Sequence, residues 1–325
     1  MSVSVVIPAY NAGQYIRAAI ESVLAQTRPA DEVIVVNDGS SDDTRAIVNS
    51  YAPRVRLVSQ ENQGPSVARN TGVQAASSEF IAFLDADDQW LPQKIAVQLE
   101  AIRSIPGAVL CYTSLLLNHS DMDDPGMDRP DGLQTIQPAA ATADLPDRLR
   151  LGNPGILPSC VMLPRAAFLQ AGGFPPHLTI GEDWALWLRL IALGPFCVVD
   201  EPLTRYRVSS AGISSDPDLM LADACSMIEG PLLAGFTGIP RWLWRKRILS
   251  YQFYKAALTA RAVGRHDKEL RLLLQSFTAW PSPTWEPRRF KVLAVTLFRA
   301  LHKPLASKQY VPFDGWNRDG SIEET

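Results

Sequence analysis

In the first hundred residues of this 325-residue chain, short runs rich in Val and Ile alternate with segments whose apolar residues recur every three or four positions. A strand that is apolar at every position is buried on both faces, and the helical segments between such strands are what cover it. The alternation therefore predicts a parallel sheet between layers of helix. The expected strands are 3–8, 32–37, 55–59 and 79–84. The expected helices are 12–26, with Ile16, Ala19, Ile20, Val23 and Leu24 on one face, then 42–51, 65–76 and 92–104. Pro92 is expected in the first turn of the last, where its missing N–H costs least.

Further along, a strand is expected at 109–116, order resumes near 159–163, and a helix over 183–193 precedes a strand over 196–199. The acidic, Pro-bearing stretch 118–138 reads as a mobile loop, and its Asn118-His119-Ser120 is a chance match to a glycosylation acceptor. From about residue 215 the periodicity is helical: 241–263 and 267–279 form a hairpin broken at Gly264, and a Pro-rich turn at 281–287 leads into a last helix over 288–301. The chain divides on this reading into an α/β domain, 1–214, and a helical region, 215–325.

With 46% apolar residues the chain can bury a full core. Cys111, Cys160, Cys197 and Cys225 are scattered, without metal-ligand or disulfide-framework spacing, which fits a reducing cytosol. The apolar run at 3–7 reads as a strand and not as a signal peptide. The apolar windows 108–117 and 292–301 are about half the length that spans a bilayer, so a soluble or peripheral protein is expected. The formal net charge of −3 conceals an asymmetry: residues 240–310 hold fifteen of the 31 Lys and Arg but three of the 34 Asp and Glu. An acidic surface, anionic lipid or nucleic acid, is the chemistry such a segment fits.

Four constellations could carry chemistry. Asp85, Asp87 and Asp88 follow the apolar run 79–84, and the carboxyl ends of parallel strands are where open α/β sheets bind ligands. Three like charges there are compensated by a hard cation such as Mn²⁺ or Mg²⁺, or the group is a solvated turn in which Asp88 or a neighbour caps the next helix. Asn37-Asp38-Gly39-Ser40 lies at another strand end, where Asp38 could accept hydrogen bonds from a base or ribose; it is also ordinary turn chemistry. Gly181-Glu182-Asp183 opens a helix, so its carboxylates either complement the helix dipole or, desolvated beside Trp184, act as a general base. Thr204-Arg205-Tyr206-Arg207 could neutralise a diphosphate or form a solvated strand edge. No P-loop, G-x-G-x-x-G or G-x-S-x-G sequence is present, and His119, His177, His266 and His302 are too scattered for a triad or zinc site.

Taken in order, these segments resemble the family 2 glycosyltransferases, enzymes of the GT-A fold. The resemblance rests on Val5-Val6-Ile7-Pro8-Ala9-Tyr10-Asn11, Asn37-Asp38-Gly39-Ser40, the segment from Gly64 to Gly72, Asp85-Ala86-Asp87-Asp88, Gly181-Glu182-Asp183 and Tyr206-Arg207, and covers residues 3 to 214. It implies a GT-A-type nucleotide-binding sheet followed by the smaller helical region. The implied enzyme is a metal-dependent, inverting transferase that moves a hexose or N-acetylhexosamine from a nucleotide-sugar, usually a UDP-sugar, to a glycan or lipid-linked acceptor, as in surface polysaccharide assembly. Pro8 and Tyr10 would lie against the base, Asp38 would bond the uracil or ribose, and Arg69 would help close the nucleotide pocket. Asp85 and Asp87 would form the D-x-D pair, Asp87 nearest the metal, with Asp88 structural. Arg207 would meet the diphosphate, and Asp183 would be the base that deprotonates the acceptor hydroxyl.

Two departures stand out: Asn37 where many relatives have Asp, and Val208-Ser209-Ser210 where many have a His that contributes to the metal or diphosphate site. The processive Q-x-x-R-W signature is absent. Beyond the resemblance, Arg241-Trp242-Leu243-Trp244-Arg245-Lys246-Arg247 and Arg288-Arg289-Phe290-Lys291 mix aromatics with cations. Both suit either an interfacial helix on the inner face of a membrane or a helical subdomain with solvated cations, and no nucleic acid partner is expected. Competing classes are a catalytically silent sugar-nucleotide or glycan-binding module, against which the retention of Asp87 and Asp183 argues, and a sugar nucleotidyltransferase, whose Gly-rich loop is missing after the first strand.

Overall fold

Strands β1 (Val3–Ala9), β2 (Glu32–Asp38), β3 (Arg56–Gln60) and β4 (Phe80–Phe83) pair in parallel in the order β3-β2-β1-β4. Their two-residue alternation sorts the core into two layers. Val5, Ile7, Val33, Val35 and Ala82 face α1 (Ile16–Leu24), α2 (Thr44–Asn49) and α4 (Lys94–Ser104). Val6, Ile34, Val36, Ile81 and Phe83 face α3 (Pro65–Ala75), α6 (Arg165–Gln170) and α7 (Glu182–Leu190). In α1 the buried positions are Ile16, Ala19, Ile20 and Val23, the face expected from periodicity. Because the strands are parallel, the carboxyl ends of β1, β2 and β4 open at one edge.

The computed structural model describes residues 1–118, 134–137, 141–207, 216–228, 230–233, 237–281 and 288–301. Beyond β4 the sheet becomes mixed. β8 (Val161–Pro164) runs antiparallel to β4 and to β6 (Leu110–Asn118), β9 (Phe196–Arg207) runs parallel to β6, and β5 (Gln89–Trp90) closes the far edge against β9. The nine-stranded sheet follows the order β3-β2-β1-β4-β8-β6-β9-β5, with β7 (Gln134–Ile136) off that path on β6. The α/β sheet flanked by helices is thus the observed architecture.

Several boundaries differ from expectation. Pro92 stands before α4 and outside its first turn: its carbonyl accepts the Thr27 N–H at 2.8 Å, while Gln26 Oε1 accepts the Ile95 N–H at 3.0 Å, so α1 sets where α4 begins. The strand at Phe196 continues to Arg207 because the exposed Asp200 and Glu201 only interrupt its apolar run. Within 118–138, residues 134–136 form a strand. The rest of that loop beyond Asn118 and residue 137, like Val208-Ser209-Ser210, lies outside the described residues.

Helices α8 (Pro217–Ile228), α9 (Gly238–Ala262), α10 (His266–Ala279) and α11 (Arg288–Leu301) complete the fold. Ala224, Met227, Ile228, Leu232, Leu233 and Ile248 pack into the same core layer as Trp184 and Trp187 of α7. Tyr254, Ala256, Ala257, Ala260, Leu272 and Leu273 form a separate cluster between α9 and α10. All four cysteines are free. Among the described residues, no helix is long and apolar enough to cross a membrane.

Candidate active site

The open strand edge is framed by two loops that clamp each other. Asn11 N donates to Ser40 Oγ at 3.0 Å, Ser41 N to Asn11 Oδ1 at 2.9 Å, Ala12 N to Thr44 Oγ1 at 2.8 Å and Gly13 N to Asp42 Oδ2 at 2.9 Å. Gly39 takes φ +77° where β2 turns away, a region that favours glycine. This frame leaves Pro8 half-buried at the end of β1 and Tyr10 exposed (54%) beyond it. Asp38 is buried, and its carboxylate first serves the protein. Oδ1 accepts from the Gln60 side-chain amide at 2.8 Å and Gln63 N at 2.9 Å, and Oδ2 from Gly64 N at 2.8 Å, which ties down the turn into α3. Asn37 accepts the Ser40 N–H at 3.2 Å.

Arg69 on α3 is buried and joins two carboxylates from distant segments. It donates to Asp85 Oδ1 at 2.6 Å and to Glu182 Oε1 at 3.0 Å, with its guanidinium carbon 5.2 Å from the Phe174 ring centroid. Burial alone would weaken its charge, but Asp85 and then Glu182 outweigh it and raise its pKa above the ordinary arginine value. The Asp85 side chain keeps 24% exposure and Glu182 13%, so the edge carboxylate is the more accessible partner.

Within the cluster the three aspartates have separate surroundings. Asp88 caps no helix: it is 1% exposed, accepts from Ser159 Oγ at 2.5 Å and from Arg207 N at 2.9 Å, and so locks β4 to the end of β9. Ser159 is the hub of this lock. It also accepts the Asp85 N–H at 3.0 Å, and its carbonyl receives Trp90 Nε1 at 2.8 Å and Thr204 Oγ1 at 3.1 Å. Burial, then the charges of Asp85 and Asp87, push the Asp88 carboxyl well above its usual range. Asp87 is raised by burial and by Asp85, and opposed by Arg207. Arg207 lies with its guanidinium carbon 4.2 Å from the Tyr15 ring centroid.

Because Asp88 is satisfied internally and Asp85 shares Arg69, the protein offers a cation Asp87 and the second oxygen of Asp85. Among the described residues no group of three or more His, Cys, Asp or Glu side chains is arranged to hold a metal. This donor set, the Asp87 carboxylate and the Asp85 oxygen that Arg69 leaves open, fits a hard cation that takes the rest of its shell from phosphate oxygens and water.

On the other side, Gly181 at φ +83° starts α7. Asp183 Oδ2 accepts from Asn153 Nδ2 at 2.8 Å and Oδ1 from Trp184 N at 2.5 Å. Asn153 is itself held to Ile156 by two hydrogen bonds of 2.8 Å, and the α7 indoles of Trp184 and Trp187 donate to the Leu149 and Ile156 carbonyls. Asp183 keeps a window to solvent. Burial and the neighbouring Glu182 charge push its carboxyl up to about 7, against the Trp184 N–H and the charges of Arg69 and Lys255. Tyr206 feels the charge of both groups of acids. Burial, followed by the charges of Asp88, Asp85, Asp87 and Asp183, raises its phenol above the usual range.

Arg69 thus bridges Asp85 at the strand edge to Glu182, the neighbour of Asp183, while Pro8, Tyr10 and Asp38 gather at the ends of β1 and β2. Sequence reasoning missed Ser159, Asn153 and Lys255, which carry no motif and reach Asp85, Asp88 or Asp183 from segments distant in the chain. It used Tyr206 only as part of a motif.

Residues 4–170 match the model of the family described as Glycosyl transferase family 2. The chain is 35% identical over 222 residues to Bacillus subtilis TuaG, named as a teichuronic acid biosynthesis glycosyltransferase, covering 66% of this chain and 82% of that protein. Against several other curated glycosyltransferases, from Rickettsia and Escherichia coli, the matched region spans 27% to 33% of their length. Among solved structures, Staphylococcus aureus TarS residues 1–349 in complex with UDP-GlcNAc aligns with a TM-score of 0.59 at 19% identity, over 86% of this chain and 81% of that one. The Pyrobaculum calidifontis mannosyltransferase in complex with GDP-Man and Mn²⁺ aligns with a TM-score of 0.53 at 18% identity, over 92% and 86%. At such identities these two structures establish the shared fold.

Proposed function

The chain belongs to glycosyl transferase family 2, and from that premise we propose that it moves a sugar, with inversion, from a UDP-sugar to a hydroxyl of a glycan or lipid-linked acceptor. The observation that carries this reading is the Asp85–Arg69–Glu182 bridge, which ties Asp85 at the strand edge to Glu182, the chain neighbour of Asp183, a carboxylate of raised basicity.

In this reading Pro8 and Tyr10 flank the base. Asp38 holds the 60–64 turn and meets the uracil or ribose with its remaining lone pairs. Arg69 closes the nucleotide pocket, and Arg207 faces the diphosphate. Asp87 and Asp85 would hold Mn²⁺ or Mg²⁺, which when bound neutralises charge on the diphosphate. Asp183, oriented by Asn153 and the Trp184 N–H, accepts the proton of the acceptor hydroxyl. That oxygen bonds to the anomeric carbon from the face opposite the nucleotide, and the carbon–oxygen bond to UDP breaks with its electron pair leaving on the diphosphate. An α-linked donor gives a β-linked product. The relative named for teichuronic acid biosynthesis supports surface polysaccharide assembly as the setting.

The exposed Ile239 and Trp242 on α9 and Phe290, Leu297 and Phe298 on α11, among Arg241, Arg245, Lys246 and Lys291, support peripheral attachment to an anionic membrane at its cytoplasmic face. Sedimentation with phosphatidylglycerol vesicles, lost on Trp242→Ser with Phe298→Ser, would support it; equal recovery with neutral vesicles would not.

The decisive experiment is a panel of nucleotide-sugars with and without Mn²⁺ or Mg²⁺, scored for binding and nucleoside-diphosphate release. A UDP-sugar that binds and releases UDP only with the cation is the expected outcome. Binding indifferent to the cation, or no turnover of any donor, removes the reading.

A further inference from the structure

Asp183 is approached from the C-terminal helices as well as from α7. On α9, Gln252 Nε2 donates to the Leu151 carbonyl at 2.5 Å, and Tyr251 packs so tightly on Gly152 that a Cβ there would lie 2.8 Å from Cε1. These contacts seat the 251–255 turn on the segment whose Asn153 holds Asp183. Residues three apart share a helix face, so Lys255 is carried on the side of Gln252, and its ammonium acts electrostatically on Asp183. Lys255 is half-buried. Its ammonium makes no hydrogen bond and no ion pair with any described residue.

A half-buried ammonium that feels the charge of Asp183 but bonds to no described residue keeps its hydrogen-bond donors for a ligand, and charged groups of this kind cluster at functional sites. The surroundings select the ligand's sign. Glu182, Asp183 and the aspartates of the strand edge would repel an acidic acceptor, and Lys255 supplies the opposing charge beside the base. A compact ammonium on a flexible stem suits carboxylate and phosphate alike.

We propose that Lys255 recognises an anionic group on the acceptor, so that this chain glycosylates an acidic glycan whose carboxylate or phosphate lies near the attacking hydroxyl; this rests on reading Asp183 as the base. The test uses the full chain with UDP bound, and reads probe binding by saturation-transfer NMR and calorimetry. One arm compares a glucuronate-terminated disaccharide with its methyl ester, the other a glucose-6-phosphate-terminated disaccharide with its unphosphorylated form.

The expected result is that at least one acid binds about 10- to 100-fold more tightly than its neutral counterpart, the span of a hydrogen bond to a charged group. Lys255→Gln erases the difference and Lys255→Arg keeps it. Equal binding of acid and neutral probes by the parent, or a preference that survives in Lys255→Gln, overturns the proposal. So does a Lys255→Gln variant whose only change is a shifted pH–rate profile, since Lys255 would then merely tune Asp183. Failure of the transfer reading shows separately, as absent UDP binding.

Discussion

The edge at the strand ends and the Asp183 side are assembled from the chain in different ways. Pro8, Tyr10, Asp38, Arg69 and Asp85 come from successive strand–helix units, each delivered to the same edge because β1, β2 and β4 are parallel. Around Asp183 gather Asn153, Glu182, Tyr206 and Lys255, drawn from a loop, two helices and a strand over a hundred residues of sequence. Topology places the first set, and side-chain packing places the second: Trp184 and Trp187 pin the loop that carries Asn153, and Gln252 pins the helix that carries Lys255. A parallel sheet keeps its strand ends together through many substitutions, whereas the Asp183 side depends on a few individual contacts.

The sharpest way to break this contrast is Asp183→Asn. It is expected to lower turnover by about 10²- to 10⁴-fold, the usual worth of a general base, with UDP binding retained; undiminished turnover would remove the residue from the mechanism. The pH dependence comes next. A base works ionised, so kcat/KM should fall about tenfold per unit as pH drops below about 7, with Glu182, Arg69 and Lys255 the charges facing the group. Stability runs the other way. A folded-state pKa raised above the unfolded one favours the protonated native state, so its contribution is present in acid and lost as pH rises through about 7. Asp183→Asn should therefore melt above the parent at pH 8 and level with it near pH 4, and an unchanged difference would contradict the buried setting.

Arg69→Met tests the connection between the two sides. Removing a cation shared by Asp85 and Glu182 should cost about 3 kcal/mol in urea unfolding, with donor binding and turnover lost together; loss of one alone would show that the sides are independent. Asp87→Ala should weaken cation-dependent UDP-sugar binding about 10- to 100-fold and leave the melting temperature near that of the parent, which isothermal titration and thermal scans would read. Smallest is Ser159→Ala, which deprives Asp88 of a buried donor at about 1–3 kcal/mol. Its effect should appear in donor affinity more than in the pH profile, since Ser159 touches the strand edge and not Asp183.

What was legible in sequence follows the same division. The runs Val3–Ala9 and Glu32–Asp38 announce themselves because nearly every side chain is buried, and the bounds 288–301 of α11 were readable from the Pro-rich turn before it. β5, two residues long, and the short α5 (Leu145–Leu151) and α6 carry too little periodicity to be seen. In the sequence Asp88 reads as a possible helix cap because its hydrogen-bond partners, Ser159 and Arg207, are far away in the chain. In the sequence Lys255 is only one cation of a basic segment, since nothing local distinguishes it from the other lysines and arginines around it.

Gly72 has a consequence for the tolerance to which this protein is built. A Cβ at that position would stand 2.2 Å from Val6 Cγ1, so α3 rests directly on β1 with a hydrogen atom as the spacer. Arg69, three residues earlier on the same helix, inherits that clearance, and its bonds of 2.6 and 3.0 Å leave no slack for an outward step of an ångström. The missing side chain therefore works as a machinist's datum surface, against which the distance between two far-separated carboxylates is gauged.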